Sequence, residues 1–284
     1  MTLPNFIVVG AQKAGTTSLY HYLRGHPQVF MPATKELNFF VENFAWRRGL
    51  EWYTSHFRDA GDAVAIGEAS PTYSMYPLLP GVAERMAATI PDVRLVYVLR
   101  EPVARMRSGY IDALAVGSEA RPIEEALLLD SRYLIPSSYA LQIEHLLEHF
   151  ERSQLLVVLA EDLKDRRAET LARVFEFLGV DPGWRPEDLN VEHHPSRGRR
   201  KLRPTARLVG GTVVRAQVRL RPALWEERPL PPRIQRRITV PITDDEVELD
   251  EETRAALVDM LRNDLRRLPG YLDAGFDAWG LLQD

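Results

Sequence analysis

The chain has 284 residues, a formal net charge of −4 and no cysteine. That length suffices for one large α/β domain with a substantial core, and the missing cysteine excludes disulfides, thiolate nucleophiles and cysteine-ligated metal or iron–sulfur centres. The mild total hides a basic segment: between Arg197 and Arg237 thirteen Arg/Lys stand against Glu226 and Glu227, a net +11, and an anionic ligand is expected to meet the chain there if anywhere.

No apolar run approaches the ~18 residues of a membrane span, and no basic leader precedes the first apolar run. A soluble, cytoplasmic protein without a membrane span is expected. In chain order, FIVVG at 6–10 reads as a buried strand followed by a helix from about Thr16. Strand-like runs recur at 63–68, 93–100 and 154–163, with helices expected near 78–88, 103–114 and 168–178. Runs apolar on both faces, each followed by a helix, predict a parallel sheet covered on both sides.

Two further helices are expected as scaffold, at 138–150 and at 251–268, the latter turning Leu257, Met260, Leu261 and Leu265 toward the core. The predicted fold class is α/β: a phosphate-loop-like three-layer sandwich with four or five parallel strands. One domain is expected, with residues 1–180 as nucleotide-binding core, 181–245 as an irregular basic cover rich in Arg and Pro, and 246–284 as a helical end.

The turn after the first strand carries the chemistry. Gly10 and Gly15 are spaced as in the phosphate-loop motif G-x-x-x-x-G-K-[ST], yet Thr16 stands where that motif has lysine, and Lys13 lies inside the loop. A glycine turn at a helix N-terminus offers free N–H groups and the positive end of the helix dipole to an anion. Thr16 and Thr17 add hydroxyls. Lys13 suits a shorter, metal-free diphosphate-like tail, where its ammonium meets charge appearing on a bridging oxygen. A plain turn with a surface lysine accounts for the glycine pair alone, but not for the whole string G-x-x-K-x-G-T-T-S-L.

A second anion site is expected in YVLREPVARMRSGYID, where Arg100 ends a strand, Pro102 opens a helix, and Arg105 and Ser108 share one helical face. Arg100 pairing with Glu101 is the simpler alternative. Together the two sites imply a ligand with two separated phosphate positions.

These residues carry a family likeness. Through QKAGTTSL, KELNFF, LREPVARMRSGY and EDLKDRRAETLARVFEFLGV the first 180 residues resemble the sulfotransferases that use 3′-phosphoadenosine 5′-phosphosulfate (PAPS), most closely the bacterial and heparan sulfate-type branch. The resemblance implies that Lys13, Ala14, Gly15, Thr16, Thr17 and Ser18 hold the 5′-phosphosulfate and that Arg100 and Ser108 hold the 3′-phosphate. It also implies in-line transfer to a hydroxyl of a small molecule or glycan, with adenosine 3′,5′-bisphosphate (PAP) leaving and no metal required. Lys13 and Glu36 become the catalytic pair, Glu36 taking the acceptor's proton; Lys35, Glu36 and Glu68 become substrate contacts.

One departure is Ala69, where the heparan-type enzymes often carry a catalytic lysine after the glutamate of GEASPTY; Arg105 or a later arginine is the expected substitute. In SRGRRK at 196–201, Arg199 and Arg200 are matched to a basic loop that closes over the nucleotide. His193 and His194 lack a second ligand cluster, and no metal is assigned. Two other functions compete: an atypical phosphate-loop kinase or NTPase, opposed by the missing lysine, and a polyanion binder using the +11 segment. Its arginines alternate with prolines rather than aromatics, so nucleic acid is not an expected partner.

Overall fold

The structure is a computed structural model that describes residues 1–185, 199–202 and 239–282. Five parallel strands form its centre: β1 (Phe6–Gly10), β2 (Val29–Phe30), β3 (Ala65–Ala69), β4 (Arg94–Leu99) and β5 (Leu155–Leu159), in the order β2-β3-β1-β4-β5. Every residue of β1, and of β4 from Leu95 onward, is buried, as two-sided coverage requires. In register, Phe6 lies between Gly67 and Arg94. The strand order reverses between β1 and β4, so the loops leaving these two strands flank the switch point where open α/β sheets bind ligands.

The loop from β1 enters α1 (Thr16–Gly25), whose first turn begins at Gly15 without a side-chain cap. That leaves the helix's leading N–H groups facing outward. The loop from β4 enters α4 (Pro102–Ala115), with Pro102 at its start and the Glu101 carboxylate accepting from Ala104 N. Glu101 also pairs with Arg254 at 2.9 Å, so it is not the partner of Arg100.

Around this frame lie α2 (Gly49–Ser55), α3 (Val82–Thr89), α5 (Ile123–Leu129), α6 (Ser131–Leu134), α7 (Tyr139–Leu147), α8 (Ala160–Asp165) and α9 (Arg167–Leu178). A short antiparallel ribbon joins β6 (Arg200–Leu202) to β7 (Thr239–Pro241), and α10 (Glu251–Arg267) is followed by two short 3-10 turns, Leu268–Tyr271 and Ala278–Gly280. Leu257, Leu261 and Leu265 of α10 are buried, and Asp264 accepts from Ala140 N and Leu141 N at the start of α7. Met260, expected inside, is 48% exposed: it falls off the stripe that the three leucines define.

The strand expected over 154–163 ends at Leu159, and the chain turns at once into α8. The aromatics of 39–57 pack on one another, Phe39 stacking on Tyr53 at 4.2 Å, while Phe44 stays exposed. Most of the basic cover expected over 181–245, including His193 and His194, lies outside the described residues. None of the described helices is long and apolar enough to cross a membrane.

Candidate functional site

At the β1 edge a Cβ on Gly10 would meet Ser74 Oγ at 1.9 Å and a Tyr97 ring carbon at 2.9 Å, so the strand can only leave the sheet here as glycine. Gly15 has φ +93°, a left-handed conformation glycine adopts freely, and among the described residues nothing beyond its chain neighbours lies within 4 Å of where its Cβ would be. Between them Lys13 also has a positive φ, 69°. The result is an open cradle of backbone in front of an uncapped helix. Thr16 and Ala14 are buried at its base, while Ala14 N closes the turn by donating to Ala11 O at 3.1 Å.

Lys13 and Arg100 lie side by side: the Arg100 guanidinium donates to Lys13 O at 3.1 Å. The two predicted anion sites therefore share one edge. Arg100 is held from behind by Tyr139, whose hydroxyl donates to Arg100 O at 2.7 Å. Arg105 is different. Its side chain is 1% exposed and donates to Ser137 Oγ at 2.5 Å, to Tyr133 O and to Gln12 O at 3.4 Å. Committed to carbonyl and hydroxyl partners inside the protein, Arg105 braces the loop from below and is unsuited to replace the cation missing at Ala69.

A residue not singled out from the sequence stands at the centre. Asp112 accepts from Lys13 Nζ at 3.0 Å and also from Arg199. It lies one helical turn beyond Ser108 and two beyond Arg105, so the face of α4 that touches Gln12 and Lys13 also carries the buried Ser108 between them. That spacing was the available signal. Burial lowers the Lys13 pKa and Arg199 lowers it further, whereas Asp112 and Glu36 raise it.

The opposite wall is the segment before Phe39. Lys35 Nζ donates to Thr17 Oγ1 at 2.6 Å and to Glu36 Oε1 at 3.1 Å, tying the head of α1 to the Glu36 carboxylate. Glu36 has φ 60°, keeps nearly half its side chain exposed, and is anchored by its own N–H to Ala69 O at 3.1 Å. Lys13, Thr17, Lys35 and Glu36 thus converge on one opening, with Ser18 one residue further into α1.

Two predicted contacts fall elsewhere. Glu68 is 1% exposed, and its carboxylate accepts from Tyr53 at 3.0 Å, Tyr73 at 2.9 Å and Ser70 at 2.6 Å. Burial raises its pKa. Ser70 Oγ in turn accepts from Asn38 N at 3.0 Å, so Glu68 anchors the Glu36 segment from beneath instead of touching a ligand. Arg200 spends its guanidinium on Thr239, at 2.8 Å to Oγ1 and 2.9 Å to O, holding the ribbon together. Its neighbour Arg199 is the one the ribbon delivers to the site.

Residues 3–196 match the family model described as Sulfotransferase domain. The chain is 30% identical over 205 residues to the Mus musculus bifunctional heparan sulfate N-deacetylase/N-sulfotransferase 4, which covers 64% of this chain and 23% of that protein. It is 34% identical over 188 residues to the Homo sapiens heparan sulfate glucosamine 3-O-sulfotransferase 3B1, covering 63% of this chain and 46% of the relative. The matches thus span less than half the length of these curated relatives. Among solved structures, a sulfotransferase from Alicyclobacillus acidocaldarius superposes with a TM-score of 0.71 at 24% identity, covering 99% of this chain and 100% of the other, which is a likeness of fold.

Proposed function

The chain belongs to the sulfotransferase family, and on that premise we propose that it moves a sulfuryl group from PAPS to a hydroxyl by in-line displacement. A carbohydrate, glycolipid or other small natural product is the acceptor class; a relative whose name specifies 3-O-sulfation of glucosamine supports the carbohydrate option. One observation carries the proposal: Arg100 touches Lys13 O, so the loop cation and the cation at the end of β4 serve a single cleft. The open backbone at Gly15, the uncapped α1 and the Lys13–Arg199 pair fit an anionic tail.

When bound, PAPS supplies a sulfuryl group already joined to a good leaving group. The N–H groups at the head of α1, with Thr16, Thr17 and Ser18, hold the 5′ end, and Arg100 with Ser108 holds the 3′-phosphate. Lys13 releases Asp112 and places its ammonium where charge gathers on the departing oxygen. Glu36 accepts the proton of the attacking hydroxyl. Lys35, bonded to both Thr17 and Glu36, supplies the second cation that Ala69 does not.

A kinase or NTPase of the same fold puts its lysine at position 16, which here is a threonine buried in the first turn of α1. The deciding experiment measures binding of labelled PAPS and of ATP with magnesium, then label transfer to a panel of glycan and small-molecule hydroxyls. Saturable PAPS binding without magnesium and transfer to a hydroxyl are expected. ATP binding that requires magnesium, with none for PAPS at high micromolar concentration, would refute the proposal.

A further inference from the structure

On α3 and α7, three ligand-type side chains meet. Glu84 of α3, His145 of α7 and His149 in the turn after α7 each offer one ligand atom, and these atoms lie within 4.8 Å of one another. His149 follows His145 by four positions, just past the end of α7, and the two rings meet edge to face with centroids 5.5 Å apart.

The local hydrogen bonding prepares His145 for ligation. Its Nδ1 lies 3.2 Å from Glu148 Oε2, so the proton belongs on Nδ1 and the Nε2 lone pair is left available. Nε2 faces Glu84 Oε2 at 3.9 Å. That is too long for a hydrogen bond and close to the ~3.4 Å between two ligands bound at ~2.1 Å around one tetrahedral ion. Tyr76 stacks on the His145 ring at 3.8 Å, and Gln142 grips both backbone polar groups of Tyr76, at 2.8 Å to N and 2.6 Å to O, so the ring is held from the other side.

We propose that Glu84, His145 and His149 bind one divalent transition-metal cation of the zinc class, at a site separate from sulfuryl transfer. Two imidazoles and a carboxylate suit zinc over magnesium or calcium, which take oxygen ligands, and water completes the coordination. Glu148 is the outer carboxylate that orients His145. The ion clamps α3 to α7, the helix whose first residue, Tyr139, supports Arg100.

The test uses the full chain, stripped with chelator and dialysed, titrated with Co²⁺ by visible absorption and with Zn²⁺ by competition. One equivalent with a tetrahedral or five-coordinate ligand-field spectrum is expected. Glu84→Gln and His149→Gln should each weaken binding by about tenfold or more, and Glu148→Gln by about tenfold. Glu84 is exposed, so its variant keeps the fold, which circular dichroism of the metal-free protein verifies. His193→Gln/His194→Gln should bind like wild type. Absence of saturable binding, wild-type affinity in both Glu84→Gln and His149→Gln, or loss of the equivalent in the His193/His194 variant each overturns the site.

Discussion

Replacing Asp112 with asparagine tests whether the cleft holds its own anion until a ligand arrives. In the structure the Asp112 carboxylate occupies both Lys13, at 3.0 Å, and Arg199, with side-chain exposures of 33% for the aspartate and 18% for the lysine. A charge-assisted hydrogen bond contributes about 1.5–3 kcal/mol when shielded and about 1 kcal/mol or less when solvated. At these exposures the two contacts together are worth about 1–2 kcal/mol, which an entering phosphosulfate must overcome. Asp112→Asn removes that competition, so PAP and PAPS should bind about 5–30-fold more tightly, with the gain shrinking as salt rises. Isothermal titration with PAP across ionic strengths measures it. The substitution also removes an interaction that raises the Lys13 pKa, leaving burial and Arg199 to lower it, so the alkaline limb of PAP binding should move to lower pH. Unchanged or weakened binding would refute the reasoning and recast Asp112 as a support that aims Lys13 at its ligand.

Glu36→Gln should keep PAP affinity within about twofold while the transfer rate falls ~10²–10⁴-fold, as loss of a general base predicts; single-turnover kinetics separate the two. Arg199→Ala should weaken PAPS binding whereas Arg200→Ala, whose guanidinium bonds to Thr239, should leave it near wild type in the same assay. Glu68→Leu strands three buried hydroxyls at ~1 kcal/mol or more each, so Tm should drop by about 6–12 °C. The raised pKa of Glu68 means that the folded chain holds this proton more tightly than the unfolded chain. Its contribution is complete below the ordinary carboxyl value of 4.5 and fades as pH rises through the folded value, and a Glu68→Gln variant should show a flatter stability curve across that window.

The sheet was legible because β1, β4 and β5, and β3 apart from its buried Glu68, are short runs apolar on both faces, each followed by a helical pattern, which together fit doubly covered parallel strands. β2 escaped because Val29–Phe30 is two residues long and carries no period. The strand read to 163 ran four residues too far: Leu159 and Leu163 suit a buried strand as well as a helix turn, and only the backbone decides between them. The cleft's cations were legible from motif spacing, but their partners were not. Asp112 meets Lys13 across 99 residues and Glu68 meets Tyr53 across 15, so both depend on how elements dock. The β6–β7 ribbon pairs residues nearly forty apart through a stretch with no strand periodicity, which is why Arg199 and Arg200 looked equivalent in sequence and separate in space.

The residues proposed for chemistry sit on costly backbone. Lys13 and Glu36 have left-handed φ values, 69° and 60°, without being glycine, at a cost of order 1 kcal/mol or more each, and Asn38, which supports them, has φ 50°, a conformation asparagine adopts more readily. Such conformations persist only where neighbours over-determine them. Here the carbonyls of Gln12 and Lys13 are pinned by Arg105 and Arg100, and Asn38 by Ser70 on its N–H and Thr72 at 2.6 Å on its side chain. Ser70 is itself fixed by the buried Glu68, and the Glu36 N–H by the end of β3. The amine and the carboxylate are thus aimed by two frameworks rooted in β4 and β3, on either side of the strand that carries the loop. Preorganisation of this kind places the cost of ordering the reacting groups in folding rather than in binding. A substitution at Arg105 or Ser70 therefore disturbs the same geometry as one at Lys13 or Glu36, without touching a ligand.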